Sequence, residues 1–209
     1  MQHPSRWFVL ALAVGACTQG SPRMETAAAD LEVPPPDEVS GIAAAQDVAD
    51  TPAPDPITVA MSAAPPAIGR NATIMQLNAA GELVELRPGT NGWLCIPDEN
   101  PAAPGNAPMC MDQHWQAWMD AFMAGEPPAI AGVGTSYMLQ GGPVASNTDP
   151  LAQRPPAGSD WLYDGPHLMI IVPDPAMLDG YPTEHGIGAP YVMWAGTPYA
   201  HLMVPAGGM

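Results

Sequence analysis

Between Thr18 and Ala67 the chain carries no aromatic residue, nine prolines, twelve alanines and eight acidic residues. Runs such as Val33-Pro34-Pro35-Pro36-Asp37-Glu38 and Thr51-Pro52-Ala53-Pro54-Asp55-Pro56 show no helix or strand period. A segment of this kind buries too little apolar area to offset the entropy of ordering it. It is expected to be an extended, self-repelling spacer over residues 17–67, with Ala43 to Val48 the one stretch suited to a helical turn. Eleven of the thirteen aromatic residues fall beyond it, so the core has to come from residues 68–209. Those 142 residues suffice for one core that buries about 70% of the unfolded surface. They also hold 18 Pro and 18 Gly, which forces many turns and short elements.

Within 68–209 the hydrophobic pattern places strands at Ala72–Leu77, Leu83–Leu86, Trp93–Ile96, Tyr137–Leu139, His167–Val172, Tyr191–Trp194 and His201–Val204. A turn at Asn78-Ala79-Ala80-Gly81 joins the first two as a hairpin. One helix stands out, Gln113 to Ala124, with Asp112 as N-cap and Gly125 at the C-terminal stop. Trp115, Trp118, Met119, Phe122 and Met123 recur at helical spacing and give it one broad apolar face. Pro143 to Asp160 reads as a long polar loop, and loops of that length inside a domain are often functional. The expected class is α+β: an antiparallel sheet of five to seven short strands, one main helix, Gly/Pro-rich loops and one disulfide, preceded by a disordered tail.

Charge narrows the function. There are 21 acidic residues against five Arg and no Lys, a formal net charge of −16. Schiff-base lysine chemistry and a phosphate loop of the Gly-Lys-Ser/Thr type are excluded. Nucleic-acid binding is disfavoured, as is attraction to anionic headgroups. Membrane attachment therefore has to be apolar or covalent. The amino terminus has Arg6, the apolar run Trp7 to Val14, then Val14-Gly15-Ala16-Cys17. Eight apolar residues cannot span a bilayer but suit a secretory signal peptide over residues 1–16. In an oxidising compartment Cys95 and Cys110 can pair across 14 intervening residues, worth about 3 kcal/mol in the chain-entropy model. Cys17 is then left over and needs a fate of its own.

Three kinds of chemistry are legible. His167-Leu168-Met169 and His201-Leu202-Met203 each open a strand, so His and Met of each tripeptide share a face. If the strands are neighbours, His167, Met169, His201 and Met203 converge as a soft-metal site suited to copper(I). The alternative is Met as core filler, with His167 bonded to a loop carbonyl. For a hydrolase, His114, His167, His185 and His201 are candidate bases, and Asp149, Asp160, Asp164 and Asp174 candidate orienters. Ser136, Ser146 and Ser159 lie outside any Gly-x-Ser-x-Gly elbow, and Asp98-Glu99 reads as a solvated loop. No catalytic residue is assigned. For binding without chemistry, Trp161, Tyr163, Trp194 and Tyr199 lie in or beside loops. They would form a recognition patch for a small ligand or envelope protein, or pin those loops to the core.

The string Val14-Gly15-Ala16-Cys17 resembles the lipobox of bacterial lipoprotein precursors. That resemblance implies lipidation of Cys17 and a domain tethered to the lipid bilayer of the envelope, on an outer membrane facing the periplasm. An ordinary signal peptide cut after Ala16 fits the same residues. The domain from Thr73 to Pro205 resembles an uncharacterised family of exported bacterial proteins. The carrying strings are Asn91-Gly92-Trp93-Leu94-Cys95, Met109-Cys110-Met111-Asp112, Ala145-Ser146-Asn147-Thr148-Asp149-Pro150, Gly165-Pro166-His167-Leu168-Met169 and Tyr191 to Tyr199. It implies a shared fold and export, and no activity. The chain is thus expected to be an envelope lipoprotein with a binding or structural domain; metal binding is the second reading and hydrolysis the third.

Overall fold

The computed structural model describes residues 54–207. Cys17 and the signal and spacer residues before Pro54 lie outside that range.

The first elements arise where spacer was expected. Asp55 caps a seven-residue helix, α1 (Pro56–Ser62), accepting from the backbone N–H groups of Ile57 and Thr58, with proline at the first helical position. A second short helix, α2 (Pro66–Gly69), follows. Ala60, Ala63 and Ala64 are buried, so the folded unit begins upstream of the boundary expected at 67. A helix need not carry aromatics to join a core: alanine lets it approach a sheet closely, at no side-chain entropy cost.

The remaining elements are β1 (Thr73–Leu77), β2 (Leu83–Arg87), β3 (Leu94–Ile96), β4 (Met109–Met111), α3 (Gln113–Ala124), β5 (Gly134–Met138), β6 (Gly142–Val144), β7 (Leu162–Asp164), β8 (His167–Ile171), a 3-10 turn (Pro175–Leu178), β9 (Tyr191–Met193) and β10 (His201–Pro205). Eight strands form one sheet in the order β2-β1-β3-β4-β5-β8-β10-β9, and β6 pairs with β7 in a separate ribbon. The fold is α+β. Two expectations about the sheet are corrected: it has more strands than seven, and β1 and β3 run parallel. The cause is the link after β2. It passes under the start of β1, with Gly89 N–H donating to Thr73 Oγ1 and Thr90 N–H to the Asn71 carbonyl. A Cβ at Gly89 would collide with the backbone of Ala72 and Thr73. The chain therefore enters β3 on the far side of β1 and in the same direction.

One face of the sheet packs against α3 and holds the main core, which includes Met109, Met111, Trp115, Trp118, Met169, Ile171, Met193 and Met203. The other face carries two smaller clusters. Under α1 and α2 lie Ile74, Cys95 and Cys110, and beneath the 3-10 turn Leu178 meets Val192 and Leu202. Cys95 and Cys110 sit directly opposite one another on β3 and β4 and form the expected disulfide.

Helix α3 has the residue bounds its caps imply. The Asp112 carboxylate accepts from Trp115 N–H at 2.9 Å and Thr135 N–H at 2.6 Å, tying the helix start to β5. Gly125 takes φ +71°, the left-handed C-terminal cap. Among the described residues no helix is long and apolar enough to cross a membrane.

Candidate functional site

Strands β8 and β10 are antiparallel neighbours, with Met203 opposite Met169 and Pro205 opposite His167. The alternation of β8 buries His167, Met169 and Ile171 on the α3 side. His167, Met169, His201 and Met203 therefore share one face, and all four line a single cavity of about 300 Å³. The two histidines lie on opposite sides of the methionine pair, four residues apart in register. Their backbone positions span roughly 13 Å along the strands. Among the described residues no group of three or more His, Cys, Asp or Glu is arranged to hold a metal ion.

The cavity lies between this face, helix α3 and the loop after β6. Trp115, Trp118 and Phe122 of α3 line it together with Met109, Met138 and Met193 of the sheet. Pro150, Ala152 and Gln153 close it from the loop. Trp194 completes the wall and is the one described non-glycine residue with positive φ, +54°. That conformation is strained for a bulky side chain. It is held by hydrogen bonds to the loop: Trp194 N–H donates to the Asn147 carbonyl and its indole N–H to the Ser146 carbonyl. The Trp194 ring stacks on Trp118 and Phe122.

The imidazoles have defined states. His167 Nδ1 lies 2.6 Å from the Gly165 carbonyl and His201 Nδ1 lies 3.0 Å from the Tyr199 carbonyl. Each contact requires the proton on Nδ1, which leaves Nε2 as an acceptor. Neither Nε2 has a hydrogen-bond partner among the described residues. Trp115, Trp118 and Trp194 surround the His201 ring edge to face. Burial pushes His201 down to about 4, against the raising effect of the Tyr199 carbonyl; the His167 charge lowers it further. Burial also lowers His167, opposed by the Gly165 carbonyl and Asp164. The expected alternative of a loop-carbonyl bond at His167 is thus present, but it occupies only one of the two ring nitrogens. The Trp115 indole N–H is also buried without a partner.

At the His167 end the cavity is acidic. Glu99 and Asp164 both line it. Tyr191 Oη–H donates to both Asp164 oxygens at 3.0 Å, and His185 Nε2 lies 3.2 Å from one of them. Burial, then the charges of Asp98 and Asp164, raise Glu99 to about 7. Glu99 was expected on a solvated loop, and that reading is corrected. Asp98 Oδ1 accepts from Asn100 N–H and Ala107 N–H, curling the loop so that Glu99 is half-buried. Adjacent carboxylates in a Pro/Asn stretch gave no hint of it, because the turn closes on Ala107, nine residues away.

The loop aromatics divide. Trp194 is a cavity wall, and Tyr199 is buried in the same aromatic cluster, edge-on to Trp118 and Phe122. Trp161 is half-buried, and Tyr163 is exposed with its hydroxyl donating to the Gln140 carbonyl. The four therefore do not make one patch. Of the serines, Ser136 is buried and donates to the Cys110 carbonyl, while Ser146 Oγ accepts from Thr148 and Asp149 N–H groups in its own turn. Neither contacts a histidine base. The chain matches no protein-family model, no curated protein and no solved structure, so the site is read from this molecule alone.

Proposed function

We propose that this is a binding domain whose ligand is a small, largely apolar organic molecule held in the cavity between α3 and the β8–β10 face. One observation carries the reading. Three buried polar atoms without partners, the Nε2 acceptors of His167 and His201 and the Trp115 N–H donor, belong to residues that line one cavity. Unpaired buried groups cost about 1–3 kcal/mol each and are few in native structures, so three of them around one cavity mark it out from ordinary core packing. Apolar walls with a few convergent polar groups are the usual make-up of small-molecule sites. Calorimetry with 2-phenylethanol tests it. The native protein binds, and Ala152→Trp, which places an indole in the cavity, does not. Equal binding by both proteins, or no binding of 2-phenylethanol, 2-phenylethylamine or phenylacetate by the native protein, overturns the reading.

For the whole chain we propose export and lipid anchoring through Cys17, which would hold this domain at the envelope membrane on the acidic spacer. Support comes from the Val14-Gly15-Ala16-Cys17 string and from Cys95 and Cys110 pairing, which leaves Cys17 as the odd cysteine. Labelling of cells with an alkyne palmitate reports it: the native protein is labelled, and Cys17→Ser is not. An unlabelled native protein contradicts it.

Copper(I) binding is the second reading. Its support is that each histidine has Nδ1 held by a backbone carbonyl, the orientation common in metal-bound histidine, with a methionine two residues on. Chelator competition with Cu(I) checks it. Stoichiometric binding that disappears in Met169→Leu/Met203→Leu supports it; an absence of stoichiometric binding ends it.

A further inference from the structure

We propose that the cavity ligand is an organic cation, with its apolar body against the Met and Trp walls and its ammonium group between Glu99, Asp164 and His167. This rests on the binding reading above and adds the charge of the ligand.

The His167 end of the cavity gathers more acceptors than donors: among the described residues its carboxylates have only the Tyr191 hydroxyl and His185 beside Asp164 as partners. Glu99 makes no side-chain hydrogen bond within the described residues, although its loop is held in place by Asp98. Asp164 accepts from the Tyr191 hydroxyl and lies 3.2 Å from His185 Nε2, neither of which is a permanent cation. His167 is 4% exposed, and its remaining Nε2 acceptor is unpartnered. The described arginines are Arg70, Arg87 and Arg154, and none lines the cavity. Arg87 is occupied by the carbonyls of Gly69 and Ala72. An anionic ligand would meet like charge inside a chain of net −16. A neutral alcohol brings one donor to three acceptors. An ammonium brings three N–H donors and the missing positive charge, and charge-assisted bonds are roughly twice as strong as neutral ones.

Binding is then coupled to a proton. The ligand enters as the ammonium ion, and Glu99, raised to about 7, gives up its proton to solvent as the pair forms. Glu99 feels Asp98 on its own loop and Asp164 on β7. His167 on β8, His185 and Tyr191 complete the titratable groups at this end of the cavity. Affinity for a cation therefore falls as pH drops below about 7.

Calorimetry of the full folded protein with three near-isosteric probes decides the matter: 2-phenylethylamine, 2-phenylethanol and phenylacetate. At pH 7.5 the amine is expected to bind at least tenfold more tightly than the alcohol, and phenylacetate not at all. The amine's affinity drops at least threefold at pH 6, and its binding enthalpy differs between phosphate and Tris because a proton is released. Glu99→Gln narrows the gap between amine and alcohol at least fivefold. The probe series needs no variant, so poor folding of Glu99→Gln does not remove the test. An alcohol as tight as the amine overturns the cationic ligand and leaves the binding cavity standing. Failure of all three probes overturns both.

Discussion

Protonation of His201 should unfold this domain in a way that one substitution removes. The imidazole lies under three indoles and is held near 4, against 6.5 in the unfolded chain. A group whose folded value is depressed binds more protons unfolded than folded between those two pH values. Stability from His201 is therefore complete above about 6.5 and is lost progressively as pH falls toward 4. The gap corresponds to about 3 kcal/mol, a large share of a typical domain's stability. His167 pulls in the same direction; Glu99, raised by burial, pulls the other way, favouring the folded state as pH falls through 7. The total pH profile thus mixes opposing contributions, and a difference isolates the one of interest. Urea unfolding at pH 7.5 and pH 4, for the native protein and His201→Phe, supplies that difference. Phenylalanine keeps a ring against the indoles, and its loss of the Tyr199 carbonyl contact is the same at both pH values. The native protein should lose about 3 kcal/mol more than the variant on acidification. Parallel losses in the two proteins would refute the assignment of a neutral, desolvated His201.

Other perturbations have definite outcomes. Replacing Cys95 and Cys110 together by serine should cost about 3 kcal/mol of unfolding free energy, the worth of closing a loop of this length. Asp112→Ala removes two hydrogen bonds that start α3 and join it to β5; a loss of roughly 2 kcal/mol is expected from thermal or urea melts. A chain begun at residue 68 lacks α1 and the start of α2, and uncovers Ile74 and the disulfide. It should be less stable than one begun at residue 54 by at least about 3 kcal/mol, the scale of one or two large apolar side chains, and equal melts would restore the boundary at 67.

Where the sequence was legible, local chemistry was strong. Helix α3 could be bounded because Asp112 and Gly125 are unambiguous caps around a 3.6-period apolar face. The shared face of His167, Met169, His201 and Met203 followed from strand alternation once β8 and β10 proved adjacent. Helix α1 was missed because its only markers, Asp55 and Pro56, sit in a Pro/Ala-rich stretch without aromatics. The parallel β1–β3 pairing was hidden because it depends on where the Pro88–Gly92 link passes, a tertiary matter in which Gly89 looks like any turn glycine. Glu99 and the cavity itself were out of reach for the same reason. The gap between α3 and the loop after β6 is a property of how layers meet, and Trp194 becomes a wall only through its bonds to Ser146 and Asn147.

The central claim, that this cavity takes a ligand, is tested most directly by NMR of methyl-labelled methionines during titration with 2-phenylethylamine. The methyls of Met138, Met169, Met193 and Met203, which line the cavity, should shift in a saturable way, while Met61 of α1 and exposed Met177 stay in place. Saturating shifts at Met177 or Met61 with the cavity methyls unmoved, or no shifts anywhere, would contradict it.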